Sequence, residues 1–321
     1  MKVLIGYDGS ASSDAVFEDL KRAGLPPDAE AVVASVGDLV MSSRSVQDAV
    51  VQAVSSQSGA AGAKRAQTST DTVIEETKAF AELGKKRIQE HFPGWKVSSE
   101  VFTGTPAWVL IDAAEKLNAD LIVVGSQGRS AVGRLLLGSV SKRIATDARC
   151  SVRVARAVDQ NGEWPSSKPP RLLVGVDGSP DAEQAIFSIG QRVWPDGTEV
   201  RLAAINDSAP PPSIIARLPQ AAAMINSYMR TREVRIASML DWATEELGHI
   251  GLRTSVYQEK GDPQQVLLDE AEKWRADSIF VGTRDLKSSF ERFRLGSVST
   301  AIMTNAHCSV EIVRPQEVTM K

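Results

Sequence analysis

A long internal repeat constrains this chain more than any other feature of it. Val3-Leu4-Ile5-Gly6-Tyr7-Asp8-Gly9-Ser10 near the amino end returns as Leu173-Val174-Gly175-Val176-Asp177-Gly178-Ser179. Leu137-Gly138-Ser139-Val140-Ser141 returns as Leu295-Gly296-Ser297-Val298-Ser299. Both copies close on a cysteine-led segment, Cys150-Ser151-Val152-Arg153-Val154 and Cys308-Ser309-Val310-Glu311-Ile312. Solenoid repeats recur every ~20–50 residues, so a period this long marks a duplicated domain. The length of 321 residues suits two domains of ~150 residues each.

Spacing between the copies locates an insertion. Asp8 to Asp177 spans 169 positions, whereas Gly104 to Gly261 and Gly125 to Gly282 span 157, so the first copy carries 12 extra residues. The Ser/Ala/Gln/Gly-rich stretch from Ser42 to Ser69 is the candidate, and its composition reads as a mobile loop or a loose helix. Pro210, Pro211, Pro212 and Pro219 make the equivalent region of the second copy loop-like. Asp159 to Pro170 reads as a linker, which sets domains at 1–156 and 171–314 with residues 157–170 between them.

Within each copy, short apolar runs alternate with helical patterns. The first copy reads as strands at Val3–Gly6, Ala31–Val36, Lys96–Val101, Leu121–Gly125 and Ser151–Val154. Helices are expected near Asp14–Ala23, from the capping box Thr72-Val73-Ile74-Glu75 to Pro93-Gly94, from Pro106 to Leu117, and from Gly138-Ser139 onward. The second copy repeats the order, with a long helix near Met229–Leu247 and another opening at Pro263. Strands that are apolar throughout, alternating with helices, imply a parallel sheet covered on both faces. Each copy is expected to be an open α/β sandwich with a mostly parallel five-stranded sheet flanked by helices.

Ligands of such sheets sit at the carboxyl ends of strands, near a topological switch point. The loop holding Asp8 and the loop after Val124 should meet there. Gly125 and Gly128 are separated by two residues, and nine more lead to Gly138-Ser139. Glycine lets backbone approach a ligand closely, and a helix opening at Ser139 offers unpaired N–H groups and a positive dipole end. Ser139 and Ser141 add hydroxyls, and Arg129, Arg134, Lys142 and Arg143 add nearby charge. The pattern describes a phosphate cradle, distinct from a Walker A loop and from the dinucleotide fingerprint. Asp8 reads equally well as a helix cap or turn residue; structural turns and a solvated helix face are the alternative readings of the glycines and of the basic residues.

These blocks, twice over and in fixed order, resemble a tandem universal stress protein, two domains of that family fused, with an adenine nucleotide alpha-hydrolase-like fold. The glycine spacing of the first copy matches the motif that accompanies ATP binding in the family. The resemblance implies Asp8 and Val36 beside adenine and ribose, Gly125, Gln127, Gly128 and Arg129 along ribose and phosphates, and Gly138, Ser139, Val140 and Ser141 on the phosphate tail. It also implies ATP as ligand, with Mg²⁺ as its companion, and a regulatory role in stress response. Nucleotide would order the stretch from Gly125 to Gly138 and favour a partner-binding conformation. A slow ATPase or self-phosphorylating protein and a nucleotide-free scaffold acting through dimerisation are the rival classes. The final strands, Ser151–Val154 and Val310–Val313, are expected to pair as an intrachain pseudo-dimer, with a homodimer of whole chains as a further assembly and Trp164 and the insertion as free surface for a protein partner.

The second copy departs from the motif. Gly282 stands, but Asp285 replaces the second glycine, and ten residues rather than nine separate it from Gly296. A carboxylate facing phosphates is unfavourable, so one nucleotide per chain is expected, in the first copy.

The remaining features exclude more than they assign. A net charge of −3 and a pI near 5.8 supply no basic excess for nucleic acid. No apolar run approaches the ~20 residues of a membrane helix, and a strand opening within 3 residues of the start leaves no room for a signal peptide. Two cysteines without framework spacing argue against a disulfide scaffold; Cys150 and Cys308 read as small buried residues. His91, His249 and His307 lie apart and suggest neither metal nor catalysis, and no nucleophile elbow is present. Trp108 and Trp274 read as packing residues. A cytoplasmic location, no nucleic-acid or membrane partner, no catalytic residue and no metal site are the resulting expectations.

Overall fold

A computed structural model describes residues 1–37, 59–128, 137–156, 168–206, 219–283 and 295–315, with backbone alone over 59–70 and 219–226. The chain divides into two compact units. Unit 1 comprises Met1–Glu18 and Pro26–Ala155, and unit 2 comprises Asp19–Leu25 and Arg156–Lys321.

In unit 1 the strands are β1 (Lys2–Gly6), β2 (Glu30–Gly37), β3 (Lys96–Thr103), β4 (Leu121–Gly125) and β5 (Ser151–Ala155). They lie in the order β3-β2-β1-β4-β5, and every pair is parallel. The chain steps outward from β1 to β3, then crosses back so that β4 pairs with β1, Val3 opposite Leu121 and Gly6 opposite Val124. The switch point therefore falls between β1 and β4. Apolar residues without alternation are what a sheet covered on both faces needs, and β4 is buried at every position. β3, at the outer edge, is nowhere buried, and its sequence is correspondingly polar.

Four helices cover this sheet among the described residues: α1 (Ala11–Leu20), α2 (Gly59–His91), α3 (Pro106–Leu117) and α4 (Ser139–Asp147). Pro106 stands in the first turn of α3, where its missing N–H is no loss. Asn118 ends that helix at φ 50°, its N–H reaching the carbonyl of Ala114.

Unit 2 repeats the plan. Strands β6 (Arg171–Gly175), β7 (Glu199–Asn206), β8 (Arg253–Lys260), β9 (Ser278–Gly282) and β10 (Ser309–Val313) are ordered β8-β7-β6-β9-β10, again all parallel. Helices α5 (Pro180–Gly190), α6 (Pro219–His249), α7 (Pro263–Trp274) and α8 (Ser297–Asn305) accompany them. Its core includes Leu172, Ile186, Leu202, Leu240 and Phe280, each at most 4% exposed.

Three sequence expectations need correction. Thr72-Val73-Ile74-Glu75 does not open α2; the helix begins at Gly59, thirteen positions before Thr72. The capping pattern sits inside the helix, because the alanine-rich run upstream has high helix propensity and carries the helix through it. Pro219 belongs to no loop but is the first residue of α6, where its fixed φ is suited. Likewise α1 starts at Ala11 rather than near Asp14. Of the insertion, Gly59–Ser69 is helical backbone, while 42–58 lies outside the described residues, as do Pro210–Pro212 and most of the linker, Trp164 included.

Candidate functional site

The loops after β1 and β4 meet in unit 1. Asp8 and Gly9 (φ 74°) form the turn after β1, and Asp8 Oδ1 accepts the Ser10 N–H at 3.0 Å. Ser10, not Asp8, caps α1: its hydroxyl accepts the Ser13 N–H at 3.1 Å. Asp8 is thus a turn residue with half-buried carboxylate, and its Oδ2 lies 3.2 Å from where a Cβ on Gly128 would be. The Ser10 hydroxyl also points to the Gln127 carbonyl, at 3.5 Å.

Gly138 closes the arrangement. Its N–H donates to the Ser126 carbonyl at 2.7 Å, and a Cβ there would stand 3.3 Å from Gln127 Cα and 3.7 Å from Gly128 N. Gly138 is the N-cap of α4 and provides no side-chain cap. The N-cap therefore leaves the first amides of α4 without a capping side chain of its own, with Ser139 exposed and Val140 partly so. The structure therefore brings Asp8, Gln127, Gly128, Gly138 and Ser139 to one place. Val36 lies at the same sheet edge, near the carboxyl end of β2 and opposite Phe102.

Gly125 and Ser141 serve the frame. A Cβ on Gly125 would come within 2.5 Å of the Ser12 carbonyl oxygen and 2.8 Å of Ser13 N. The residue must be glycine for α1 to approach β4. The buried Ser141 hydroxyl donates to the Gly125 carbonyl at 2.6 Å, which engages it inside the fold instead of offering it to a phosphate. Arg143 is also committed elsewhere: it stacks on Trp108 at 4.3 Å and pairs with Asp147. Trp108, half exposed, is a platform for that arginine rather than a core residue. Lys142 remains exposed, and Arg129 and Arg134 lie outside the described residues.

Behind the Asp8 turn, α2 holds the site in place. Phe80 lies where a Cβ on Gly9 would go, within 2.3 Å. The Tyr7 hydroxyl donates to Asp14 at 2.7 Å, and Arg87 pairs with the same carboxylate. Burial, then that hydrogen bond, pushes the Tyr7 hydroxyl well above its ordinary value, so it stays a donor. The periodicity of α2 sets Phe80 on one face with Val73, Gly84 and Ile88, whereas Arg87 was not foreseen.

Unit 2 reproduces the frame. Asp177 accepts the Ser179 N–H at 3.0 Å, and Ser299 donates to the Gly282 carbonyl at 2.8 Å. A Cβ on Gly282 would come within 2.5 Å of Asp181 backbone. A cavity of about 860 Å³ opens at the carboxyl ends of β6, β7 and β9, lined by Asp177, Ile205, Gly282, Gly296 and Ser297 among others. Asp285, which distinguishes this copy in sequence, lies outside the described residues.

Among the described residues, no group of three His, Cys, Asp or Glu side chains is placed to hold a metal ion, and no helix is long and apolar enough to cross a membrane. Cys150 and Cys308 form no disulfide; Cys308 is buried and Cys150 only partly so. His91 and His249 end the two long helices.

Comparison with known proteins gives a consistent picture. A model of the universal stress protein family matches residues 1–156 and 170–314. A universal stress protein of Mycolicibacterium smegmatis is 30% identical over 224 residues, covering 70% of each chain. One of Mycobacterium tuberculosis is 34% identical over 230 residues, 68% of this chain and 69% of the relative. The crystal structure of a universal stress protein from Archaeoglobus fulgidus superposes with a TM-score of 0.62 at 21% identity, covering 98% of both chains, a likeness of fold.

Proposed function

The chain belongs to the universal stress protein family, and from that premise we propose that its first copy binds ATP, or a related adenine nucleotide, as a regulatory ligand. One arrangement carries this reading: the Asp8 carboxylate faces the open side of Gly128, beside an α4 amino terminus whose N-cap, Gly138, has no side chain to cap it. A Cβ at Gly128 would crowd Asp8, and a capping side chain at Gly138 would take the amides a phosphate needs. The residues present fit a nucleotide.

In this reading Asp8 and Val36 hold the adenosine end. Gln127 and Gly128 present backbone along the ribose and phosphates, while Gly138, Ser139 and Val140 offer helix-terminal amides to the phosphate tail. Gly125 and Ser141 act from beneath, one by letting α1 approach and the other by fixing the Gly125 carbonyl. Arg129 carries its role by sequence position alone. Nucleotide supplies binding energy to the folded state: ligand at 100 times its Kd stabilises it by ~2.7 kcal/mol. That is enough to bias a conformational equilibrium about 100-fold toward the bound form.

Mass spectrometry of the purified chain tests the reading. One adenine nucleotide per chain is expected to co-purify or to titrate calorimetrically. Absence of both would favour a scaffold acting through dimerisation. Slow Mg²⁺-dependent release of ADP, abolished by Gly128→Asp, would instead favour an ATPase.

A further inference from the structure

We propose that the β8 edge of the unit 2 sheet is a self-pairing surface: it takes β8 of a second copy of this chain, antiparallel, about a twofold axis at Val256. This surface is separate from the nucleotide reading of the first copy and does not rest on it. β8 has β7 on one side, and among the described residues no strand lies on its other side. It runs for 8 residues, against 5 in the inner strands β6 and β9. An open edge of that length presents a row of outward backbone groups, a template for another strand.

The ladder with β7 fixes which groups face outward. Arg253 stands opposite Glu199 and donates its N–H to the Thr198 carbonyl at 3.1 Å, and Gly261 donates to Asn206 at 3.2 Å. Arg253, Ser255, Tyr257 and Glu259 therefore turn their backbone groups toward β7, whereas Thr254, Val256, Gln258 and Lys260 turn theirs away. In an antiparallel pair outward residues must meet outward residues, so a twofold axis passes through a residue and not between two. An axis at Val256 sets Val256 against its own copy, Thr254 against Gln258, and Arg253 against Glu259. The outward pairs exchange about six backbone hydrogen bonds. Arg253 and Glu259, both exposed, meet twice, at positions where opposed Cα atoms come within ~4.5 Å. Glu259 also accepts the Tyr257 hydroxyl; a carboxylate accepts at both oxygens, so the two donors can share it. Val256, a branched apolar residue that is 49% exposed, gains cover at the axis.

Other registers match poorly. An axis at Tyr257 sets Ser255 against Glu259 and Thr254 against Lys260, and one at Gln258 sets Val256 against Lys260. The edge strand β3 has no comparable register either. Lys96 donates its N–H to the Ala29 carbonyl at 3.0 Å, which turns Val97, Ser99 and Val101 outward. An axis at Ser99 opposes Lys96 to Phe102, one at Glu100 opposes two carboxylates, and one at Ser98 matches charge over Lys96–Glu100 only. Charges on edge strands commonly keep strands apart; those of β8 are spaced to attract in one register. The paired segment, Arg253–Glu259 on each side, covers less than the ~1,200 Å² of a stable interface, so the association is weak and depends on concentration.

Sedimentation velocity of the full chain across a concentration series tests the proposal. Self-association is expected, weakening as salt rises. Arg253→Glu sets carboxylate against carboxylate, and Glu259→Arg sets guanidinium against guanidinium. Each alone is expected to weaken the dimer by at least about 10-fold. An equimolar mixture of the two variants restores it as a heterodimer, because each chain then carries the charge that the other needs. A chain with both changes restores it as well. Val256→Lys, which opposes two ammonium groups at the axis, gives a second and independent disruption, and Lys96→Glu on β3 leaves association unchanged. All these side chains are exposed or half-exposed, and thermal unfolding of each variant is expected to match the parent. Monomer at every concentration, association indifferent to both single changes, or a mixture no stronger than either variant alone overturns the proposal.

Discussion

The carboxylate of Asp8 lies 3.2 Å from the point that a Cβ on Gly128 would occupy. The first copy keeps its two site loops this close only because one of them has no side chain at the contact. Gly128→Ala demands a small retreat of Asp8, whereas Gly128→Asp sets two carboxylates against each other and against the phosphates of the proposed nucleotide. Like charges at ~4 Å oppose by ~1 kcal/mol in water and ~4 kcal/mol at an effective dielectric of 20. Nucleotide affinity should fall modestly for alanine and by at least about 10-fold for aspartate. Calorimetric titration of both variants decides it, and equal losses would assign the effect to bulk rather than charge.

Gly125 and Gly282 are glycines for helix packing. Their Cβ positions fall 2.5 Å from backbone of Ser12 and Asp181 respectively, contacts that no side-chain rotation relieves. Gly125→Ala and Gly282→Ala should each destabilise their own unit by ~1–3 kcal/mol, the cost of overpacking. Denaturant unfolding without ligand measures both. A Gly125→Ala chain that keeps full stability but loses nucleotide would show that the residue serves the ligand instead.

That pair also marks the limit of reading the chain from its letters. The apolar runs Leu121–Gly125 and Ser278–Gly282 are β4 and β9 to the residue, and Pro106 and Pro263 open α3 and α7. Continuous apolarity and a first-turn proline are local signals, so they survive translation into structure. A glycine, however, looks the same whether it admits a phosphate or a neighbouring helix. Ser141 and Arg143 stood beside the glycines in sequence, yet the fold engages one with the Gly125 carbonyl and the other with Trp108. Arg253 and Glu259 had no motif at all; only the register of β8 on β7 shows which residues of that edge face outward. The start of α2 was obscured for the opposite reason, since a good capping pattern at Thr72 lies inside a stronger helix former.

Glu311 on β10 is fully buried, and Arg192 nearly so, donating to it at 3.0 Å. Removing one member strands a charge where water cannot reach it. Glu311→Gln should therefore cost ~3–5 kcal/mol, whereas Arg192→Met with Glu311→Leu should recover much of that loss. Thermal or urea unfolding of the single and double variants gives the comparison. A single variant as stable as the parent would mean the pair contributes nothing beyond its packing.

His307, just before β10, is held mostly out of solvent, and burial lowers its pKa below the usual 6.5; nearby Arg156 acts the same way and Glu272 opposes them. Below 6.5 the unfolded chain takes up a proton that the folded chain still refuses. Stability must then rise with pH across that interval and reach its full value above it. Acidification from 7.5 to 5 should lower the midpoint of thermal unfolding, and His307→Gln should flatten that part of the profile. The substitution removes the titrating group but keeps a polar side chain of similar length, so the slope, not the absolute midpoint, is the readout. Parallel pH profiles for parent and variant would assign the acid sensitivity to other groups.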